Sequence, residues 1–540
     1  EFDPAAASGV AARAARRVCC RALPPAGAKE SSMLRSTVLS RISPSTPRRL
    51  VTAAVVLGLC ALPACGKKKD GETKAPGDAK SAAEVQAAID KAKQEARVSQ
   101  LIELANQDLA SGRYVTAAKR ADEALEENPN NADAYAVIGA SRWRAGDFEG
   151  STQAYRKALE LDAKNYGAAV RIAGNLQAQG QHLEAAQLQD KLLAEDPEQL
   201  EPRLYKLWSY YALCDADNAV KTVDEIFPRM GKDDPLLPLV QAYAAFMRPF
   251  EGKGPLCAVK GDKGSSNLDL HLGYGIKYSG GVMSGEFAPV MFLETREEAV
   301  IDAALAKTLK LKELAKYRPP GAEADVPVVL VPSVKFGDLE LQNVPATVQP
   351  LEAYTEVTGG ETPGVILGRQ AMQSLGTITF DFPAHTLELA KAAPAGPADG
   401  EVELPLLMLS MHVQHAPVIP LRIDGSDHDF FAYLGFTFGS GLAITKKHYL
   451  KSGHLPRELD PPDDADAGLK MVYVDSFSLG DRTLSGTSGL VLVNEPADAT
   501  LDVFLRNTGF EVGGHVNLNM LQTWRVTFAL GDGKVFIKPS

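Results

Sequence analysis

Cysteine, tryptophan and excess positive charge are all scarce in this sequence. Its 540 residues include six Cys and three Trp, and the formal net charge is -11. Lys and Arg form no stripe that could follow a phosphate backbone, so we expect no nucleic acid partner. The apolar stretch Leu50–Ala61 is too short to span a bilayer. A chain of this length is expected to form several domains.

The motifs of several enzyme classes are also missing. The sequence contains no Gly-x-Ser-x-Gly, His-Glu-x-x-His or Walker pattern, so we expect no serine, zinc or nucleotide chemistry. The nine His are scattered, and His412 and His415 form the one close pair. Three residues apart in a strand-like stretch, they would point to opposite faces and could not share a metal ion. We therefore predict no metal, no cofactor and no nucleotide partner.

Residues 1–65 are predicted to be an N-terminal extension followed by a lipoprotein signal peptide. Met33 is the expected translation start, and several Arg follow it. The apolar stretch Leu50–Ala61 is the hydrophobic region of the signal. It leads into Leu62-Pro63-Ala64-Cys65, which resembles the bacterial lipobox, so Cys65 is the expected site of lipidation. The alternative is an ordinary signal peptide with an incidental Cys.

Residues 66–97 are predicted to form a polar tether and a leading helix. The tether has almost no apolar residue and cannot form a core. A lipid on Cys65 would hold the chain at the cell envelope, facing the periplasm. Gly66 is not an Asp-type retention signal, which favours the outer membrane.

A 34-residue repeat follows the tether. It predicts pairs of helices that approach closely at small residues. The pattern resembles the tetratricopeptide repeat family, and with a fourth, degenerate unit and a capping helix it covers about 98–250. The residues that carry the spacing are Gly112, Gly146 and Gly180; Ala105, Gly139 and Ala173; Ala117, Ser151 and Ala185; Ala124, Ala158 and Leu192; and, in the fourth unit, Leu207, Cys214 and Ala219.

This resemblance implies an all-α solenoid whose inner groove holds a protein or an extended peptide. The alternative is a spacer that holds the C-terminal part away from the membrane. The groove-facing residues show no obvious Lys or Arg clamp for a C-terminal carboxylate. Cys214 and Cys257 follow Cys65 in the chain, and they either form a disulfide in an oxidising compartment or remain as buried thiols.

After Gly252 the chain changes from Ala-rich helix to strands separated by Gly and Pro turns. Hairpins are predicted around Gly337-Asp338 and Gly480-Asp481, with the two glycines 143 residues apart. Thr379-Phe380 recurs as Thr527-Phe528, 148 residues further on. We therefore expect one unit to occur twice, as a first lobe (258–392) and a second lobe (401–540) joined by a Pro- and Ala-rich linker.

The segment Val365-Ile366-Leu367-Gly368 and the alternating strand after it close the first unit. They resemble the closing half of a retropepsin-type aspartic protease lobe, in which an apolar-apolar-Gly segment crosses beneath the catalytic loop. The second lobe matches this segment only partly, at Val512-Gly513-Gly514. The resemblance implies a mainly-β, double-lobed, pepsin-like fold with a cleft between the lobes.

The catalytic motif of that family is degenerate here. Each lobe of an aspartic protease supplies Asp-Thr/Ser-Gly, and the two carboxylates, about 3 Å apart, share a proton. The first lobe has Glu294-Thr295-Arg296 instead, and the helix expected after it begins with Val300-Ile301-Asp302. The second lobe has Gly435-Phe436-Thr437, without a carboxylate, and no Asp-Thr-Gly or Asp-Ser-Gly occurs anywhere in the sequence.

We therefore predict a membrane-anchored lipoprotein that binds proteins or peptides through the repeats and through an inactive, aspartic-protease-like module. The cleft of such a module could still bind an extended peptide by strand addition. One alternative is an aspartic-type endopeptidase that uses Glu294 with a second acid, such as Asp302 or Asp475. A further alternative is that the lobes are purely structural and that binding is confined to the repeats.

Overall fold

The computed structural model describes residues 82–540 apart from several internal segments. The predicted signal peptide, Cys65 and the polar part of the predicted tether therefore lie outside the described residues. None of the described helices is long and apolar enough to cross a membrane. The internal segments left out are 271–276, 284, 294–295, 321, 356–359, 411–414, 424–429, 436–441, 452–457, 460–468, 493–509, 511, 522 and 540.

The N-terminal part of the described chain is a series of helix pairs. Four pairs follow one another, and a ninth helix comes after them. The pairs are α1 (Ala82–Ala110) with α2 (Tyr114–Glu127), α3 (Ala132–Ala145) with α4 (Phe148–Leu161), α5 (Tyr166–Ala178) with α6 (His182–Glu195), and α7 (Glu201–Ala212) with α8 (Ala216–Ile226); the ninth helix is α9 (Leu237–Met247).

The recurring glycines mark the turn inside each pair. Gly112, Gly146 and Gly180 have φ values of 74°, 86° and 76°, a left-handed conformation that glycine adopts without a Cβ penalty. Cys214 takes the same place in the fourth pair, with φ 56°. The predicted 34-residue helical repeat is thus confirmed, including its degenerate fourth unit.

Short polar side chains begin several of these helices. Each accepts a hydrogen bond from a backbone N–H three residues on, which satisfies one of the donors that a helix start leaves unpaired. The small residue Gly139 allows close packing within a pair, because an added Cβ would lie 2.9 Å from the ring of Tyr155. The capping residues are Asn131 on α3, Asp147 on α4, Asn165 on α5 and Asp215 on α8.

The first lobe is mainly β-structure with two short helices. Its elements are β1 (Ala258–Lys260), β2 (Lys263–Leu270), β3 (Lys277–Met283), β4 (Glu286–Phe292), β5 (Ala299–Asp302), α10 (Ala303–Thr308), β6 (Ala315–Tyr317), β7 (Val326–Phe336), β8 (Leu339–Gln349), β9 (Val365–Leu367), α11 (Arg369–Ser374), β10 (Thr377–Asp381) and β11 (Thr386–Ala390).

The second lobe is built in the same way. Its elements are β12 (Val402–Pro405), β13 (Leu407–Ser410), β14 (His415–Ile423), β15 (Phe430–Gly435), β16 (Leu442–Thr445), α12 (Lys446–Lys451), β17 (Glu458–Leu459), β18 (Leu469–Leu479), β19 (Arg482–Leu492), β20 (Val512–Asn517), β21 (Trp524–Ala529) and β22 (Lys534–Pro539).

The two lobes share one strand order. In the first lobe β9 runs parallel to β4 and antiparallel to β5, and β5 runs parallel to β8. In the second lobe β20 has the same relation to β15 and β16, and β16 runs parallel to β19. The predicted hairpins are confirmed as β7–β8 and β18–β19, whose turn residues Gly337 and Gly480 have φ values of 60° and 61°.

A twofold pseudo-symmetry relates the lobes at one strand pair. Strands β10 and β21 are antiparallel, and Thr379 lies opposite Thr527 with their hydroxyl oxygens 2.9 Å apart. Ile378 pairs with Phe528 and Phe380 pairs with Val526. Because Thr379 and Thr527 are also 148 apart in sequence, the pseudo-axis passes between the two threonines. A continuous sheet in the order β12-β22-β21-β10-β11-β2 joins the lobes across it.

Candidate binding surface and the degenerate loop

The segment Val365–Gly368 crosses the first lobe as the sequence predicts. Strand β9 lies between β4 and β5, and its three apolar residues are buried. A Cβ added to Gly368 would lie 2.4 Å from the carbonyl oxygen of Glu298 and 2.6 Å from that of Glu297. The glycine is therefore required because the loop backbone passes directly against it.

The matching segment of the second lobe is displaced from the predicted position. Gly514 pairs with Ile444 as Val365 pairs with Ile301, so the counterpart of Val365–Gly368 is 514–517 and the match at Val512-Gly513-Gly514 was wrong by two residues. The irregular register between β15 and β20 adds a residue there. Gly514 still allows a close crossing, since an added Cβ would lie 2.2 Å from the carbonyl oxygen of Ala443.

The degenerate motif is only partly within the described residues. Glu294, Thr295, Phe436 and Thr437 lie outside them, as do His412 and the side chains of His415 and Asp475. Arg296 is half-buried, and its backbone oxygen accepts a hydrogen bond from the N–H of Arg369 at 2.8 Å. Gly435 ends β15 opposite Asn517. Within the described chain no cluster of three or more His, Cys, Asp and Glu could hold a metal ion.

Asp302 is the N-cap of helix α10. The predicted start of this helix at Val300 is wrong, because Val300-Ile301-Asp302 belongs to strand β5 and the helix starts at Ala303. The Asp302 carboxylate accepts hydrogen bonds from the N–H groups of Ala304 at 2.9 Å and Leu305 at 3.1 Å. Its second oxygen accepts from the N–H of Leu351 at 3.2 Å.

The two glutamates that follow the motif are engaged as well. Glu297 and Arg369 form a buried, bidentate ion pair, with Nε 3.1 Å from Oε2. Glu298 accepts hydrogen bonds from the hydroxyls of Tyr317, at 2.8 Å, and of Tyr211. Tyr211 belongs to helix α7, so the helical repeats supply a direct partner to this loop.

Aromatic side chains of α7 and α9 continue this contact into a common core. The rings of Tyr211 and Tyr243 lie 4.2 Å apart, and those of Phe246 and Tyr317 lie 5.2 Å apart. Burial raises the pKa of the Tyr211 hydroxyl well above its ordinary value, and the charge of Glu298 raises it further. These tyrosines are therefore neutral hydrogen-bond donors at physiological pH.

The turns inside the repeats dock on the lobes one after another. At Gly146 an added Cβ would lie 2.6 Å from the ring of Phe431, and at Gly180 it would lie 1.9 Å from the carbonyl oxygen of Leu530. Gln373 donates to the carbonyl oxygen of Gly180 at 3.0 Å, and Gln370 donates to that of Tyr211 at 2.7 Å. We call this row of turns the docking edge.

Two further features fix the docking edge. Cys214, at the fourth turn, is joined by a disulfide to Cys257 ahead of β1, with the two Cα atoms 6.2 Å apart. At the second turn, Phe148 contacts Phe431 and Phe510, with ring centroids 5.7 and 5.8 Å apart. The repeats and both lobes are therefore packed together through long-range contacts that no local sequence pattern predicted.

The first helices of neighbouring repeats contact one another, and α5 and α7 also contact the lobes. Helix α1 contacts α3, and α5 contacts α7. The ring of Tyr205 lies over Gly174, where an added Cβ would be 3.8 Å away, and it meets Trp208 with centroids 5.0 Å apart. Arg171 is exposed, and Arg144 is half-buried. We call the surface formed by Arg144, Arg171, Gly174, Tyr205 and Trp208 the inner surface.

The two arginines of the inner surface approach one buried tyrosine. Burial raises the pKa of Tyr155, and the positive charges of Arg171 and Arg144 oppose that rise. Arg144 also lies 5.1 Å from the ring centroid of Tyr114 and donates to the carbonyl oxygen of Leu109 at 3.1 Å. The sequence analysis missed these arginines because they occupy different positions within their repeats.

Comparison with known proteins finds solved structures that are similar to the helical repeats of this chain. No protein-family model matches the chain, and no curated protein is significantly similar to it. A tetratricopeptide repeat protein from Parabacteroides merdae is 24% identical, with a TM-score of 0.26, over 28% of this chain and 60% of that one. PilF of Pseudomonas aeruginosa is 21% identical, with a TM-score of 0.26, over 28% of this chain and 68% of that one.

YrrB, described as a tetratricopeptide protein with an unusual peptide-binding site, is 18% identical, with a TM-score of 0.26. The match covers 31% of this chain and 82% of YrrB. This chain thus spans 60% of the Parabacteroides protein and larger shares of the other two. The tetratricopeptide-like character of the repeats is visible in their own 34-residue period of paired helices.

Proposed function

We propose that this protein binds extended segments of partner proteins on the inner surface of its helical repeats. The observation that carries the proposal is the orientation of the array. Its docking edge packs on the lobes, while Tyr205 and Trp208 on the first helices stay half-buried and Arg171 stays exposed. A surface that combines rigid aromatic rings with an unpaired charge is suited to protein recognition.

We further propose that the lobes are an aspartic-protease-like pair without the protease mechanism. The duplicated strand order, the crossing at Gly368 and the pseudo-axis at Thr379 and Thr527 support this interpretation. The carboxylates of Glu297, Glu298 and Asp302 are all held by other groups. These contacts support the proposal that none of the three serves as a second acid for Glu294.

We propose that a lipid on Cys65 holds the protein at the cell envelope, facing the periplasm and on the outer membrane. The disulfide between Cys214 and Cys257 supports an oxidising location, because such bonds persist mainly outside the cytosol. Mass spectrometry of the mature N-terminus tests this directly. Wild-type protein should carry diacylglycerol on Cys65, and Cys65→Ser should remain unmodified and leave the membrane fraction.

Binding to the inner surface is tested with photo-crosslinking in the cell envelope. A crosslinking residue at Tyr205 should capture partner proteins, whereas one at Leu183, which is 57% exposed on the second helix α6, should capture few. Equal capture at both positions would contradict the proposal. Partners identified in this way should co-purify with the wild-type protein under native conditions and should be lost from Tyr205→Ala protein.

The competing protease function is tested separately. The purified protein is incubated with a peptide library from about pH 3 to about pH 7, the range in which an acid dyad would act. We expect no cleavage. Cleavage that disappears in Glu294→Gln would establish an acid pair that includes Glu294 and would refute the pseudoenzyme proposal.

A further inference from the structure

The inner surface has a sign of charge that the rest of the array lacks. Helices α3 and α5 together carry three Arg and a single acidic residue, Asp133, although one of the three, Arg142, is paired with Asp147. Their partner helices α4 and α6 carry three basic and five acidic residues. In a chain with a net charge of -11, positive charge is therefore concentrated on the first helices of the second and third repeats.

Arg171 is the more available of the two arginines near Tyr155. It is exposed, and within the described chain no carboxylate lies within salt-bridge distance of it. Arg144 is held toward the first repeat by its contacts with Leu109 and Tyr114, which are a backbone carbonyl and a ring face. A guanidinium carries five N–H donors, so both arginines retain donors for a carboxylate.

The apolar floor beside these charges is preformed. Gln177 donates from Nε2 to the carbonyl oxygen of Tyr205 at 2.7 Å and to the hydroxyl of Ser209 at 2.8 Å. These bonds fix α7 against α5. The ring of Tyr205 then rests on Gly174 and against Trp208. Side chains that are already ordered bind with little loss of conformational entropy.

We propose that the inner surface binds an extended, acidic segment of a partner protein, with Arg144 and Arg171 as carboxylate contacts and Tyr205 and Trp208 as the apolar floor. This inference rests on the proposed function and specifies its partner class. Opposite charge is the reason for the assignment, because Arg144 and Arg171 form no salt bridge within the described chain. Glu201, at the start of α7, lies beside this surface, since Glu201 and Arg171 both act on Tyr205.

The spacing of the two arginines sets the spacing of the acids. Packed helices lie about 10 Å apart. By the 34-residue repeat, position 178 of α5 is equivalent to Arg144. Arg171 lies about two helical turns, or roughly 10 Å, from position 178 along the axis of α5. The two Cα atoms are thus roughly 14 Å apart, which an extended chain spans in about four residues. Acidic residues about four positions apart should therefore bind best.

The test measures binding of three fluorescent dodecapeptide pools to the whole chain, solubilised in a mild non-ionic detergent. The pools share random apolar positions and carry Glu, Gln or Lys at every fourth position. Each is made with a free and with an amidated C-terminus, which separates side-chain carboxylates from a terminal carboxylate as the source of charge. The Glu pool should bind at least about tenfold more tightly than the Lys pool at low salt, an advantage that about 0.5 M salt removes.

Matched variants assign the preference to the arginines. Arg171→Gln should weaken binding of the Glu pool by about threefold to tenfold, as expected for loss of a partly exposed charge pair. Lys191→Gln makes the same charge change on the second helix α6 and should have no effect. Arg171→Glu should weaken the Glu pool and strengthen the Lys pool, a reversal that misfolding cannot produce.

Three results would overturn the inference. Equal binding of all three pools that is lost in Tyr205→Ala would keep the proposed function and remove its acidic specificity. Absence of binding for every pool would remove both. An unchanged preference for the Glu pool in Arg171→Gln and in Arg171→Glu would place the acidic selectivity elsewhere on the chain.

Discussion

Alanine substitutions at the three equivalent turn glycines should measure how firmly the repeats are attached to the lobes. Gly112, Gly146 and Gly180 share the left-handed conformation, with φ values between 74° and 86°. An alanine at any of them pays the same backbone penalty, about 1 kcal/mol. What differs is the space around each Cβ. The three variants therefore form a series with its own internal control.

The expected order of destabilisation follows from what each new methyl group meets. At Gly112 the nearest atom is the hydroxyl of Tyr114 at 3.7 Å, an ordinary contact. At Gly146 it is the ring of Phe431 at 2.6 Å, which can shift, and at Gly180 it is the backbone oxygen of Leu530 at 1.9 Å, which cannot. Overpacking adds about 1–3 kcal/mol. We expect a loss of about 1 kcal/mol at Gly112 and about 3–4 kcal/mol at Gly180.

The assay combines urea unfolding with amide hydrogen exchange. Trp143, Trp208 and Trp524 report on the second repeat, the fourth repeat and the second lobe, so fluorescence samples each part of a chain that need not unfold in two states. Exchange should accelerate in the β21–β22 hairpin of Gly180→Ala and remain unchanged in Gly112→Ala. If both variants lose the same stability, the third turn does not dock on Leu530, and the docking edge described above is incorrect.

Three further predictions concern single groups. Cys214→Ser or Cys257→Ser should cost about 4 kcal/mol of unfolding free energy, because the disulfide closes a separation of 43 residues; equal urea midpoints for wild type and variant would argue against the bond. Burial lowers the pKa of His515 to about 4. The free energy of unfolding should therefore fall by roughly 3 kcal/mol from pH 6.5 to pH 4, because only the unfolded state takes up a proton in this range. Denaturation measured as a function of pH should show this slope for the wild type and not for His515→Gln. The raised pKa of Tyr211 predicts loss of stability above about pH 10, where only the unfolded chain ionises; Tyr211→Phe should flatten this decline while costing about 1.5–3 kcal/mol at neutral pH.

The helical repeats could be predicted because their signal is local. A turn glycine every 34 residues and small residues at fixed offsets describe one helix pair at a time. Even the fourth unit, where Cys214 replaces the glycine, keeps the left-handed turn and was predicted from spacing alone. The two hairpins were predictable for a related reason, since a duplicated sequence implies a duplicated arrangement. The contact between Thr379 and Thr527 was not predicted.

Features that depend on distant residues could not be predicted. Tyr211 and Glu298 are 87 residues apart, and nothing in either neighbourhood indicates the other. The crossing segment of the second lobe was placed by its two adjacent glycines, and this position was wrong. The hydrogen-bond register with β16 decides which residues form the crossing, and the sequence does not show that register. The helix start was placed too early, at Val300, because the family pattern was followed. The residues themselves indicate otherwise, since Val300 and Ile301 favour a strand and Asp302 favours a helix N-cap.

The arginines of the inner surface illustrate a third limit. Tetratricopeptide-like periodicity describes the residues that hold helices together, and these are the ones that recur. Residues that select a partner do not recur, and Arg144 and Arg171 stand at different offsets in successive repeats. A count of charge on first and second helices separately would have indicated them, because the first helices of the second and third repeats are basic and their partners are acidic.

The two glutamates after the degenerate motif favour a binding function over a proteolytic one. Glu297 points to Arg369 within the first lobe, and Glu298 points to Tyr211 of the repeats and to Tyr317. An acid pair formed by Glu294 with Glu297 or Glu298 would require that glutamate to give up these contacts. Breaking hydrogen bonds to a charged group costs about 1.5–3 kcal/mol each, and an unpaired Glu297 or Arg369 would remain buried. The same contacts fix α7, which also carries Tyr205 and Trp208, so this loop helps to hold the inner surface in place.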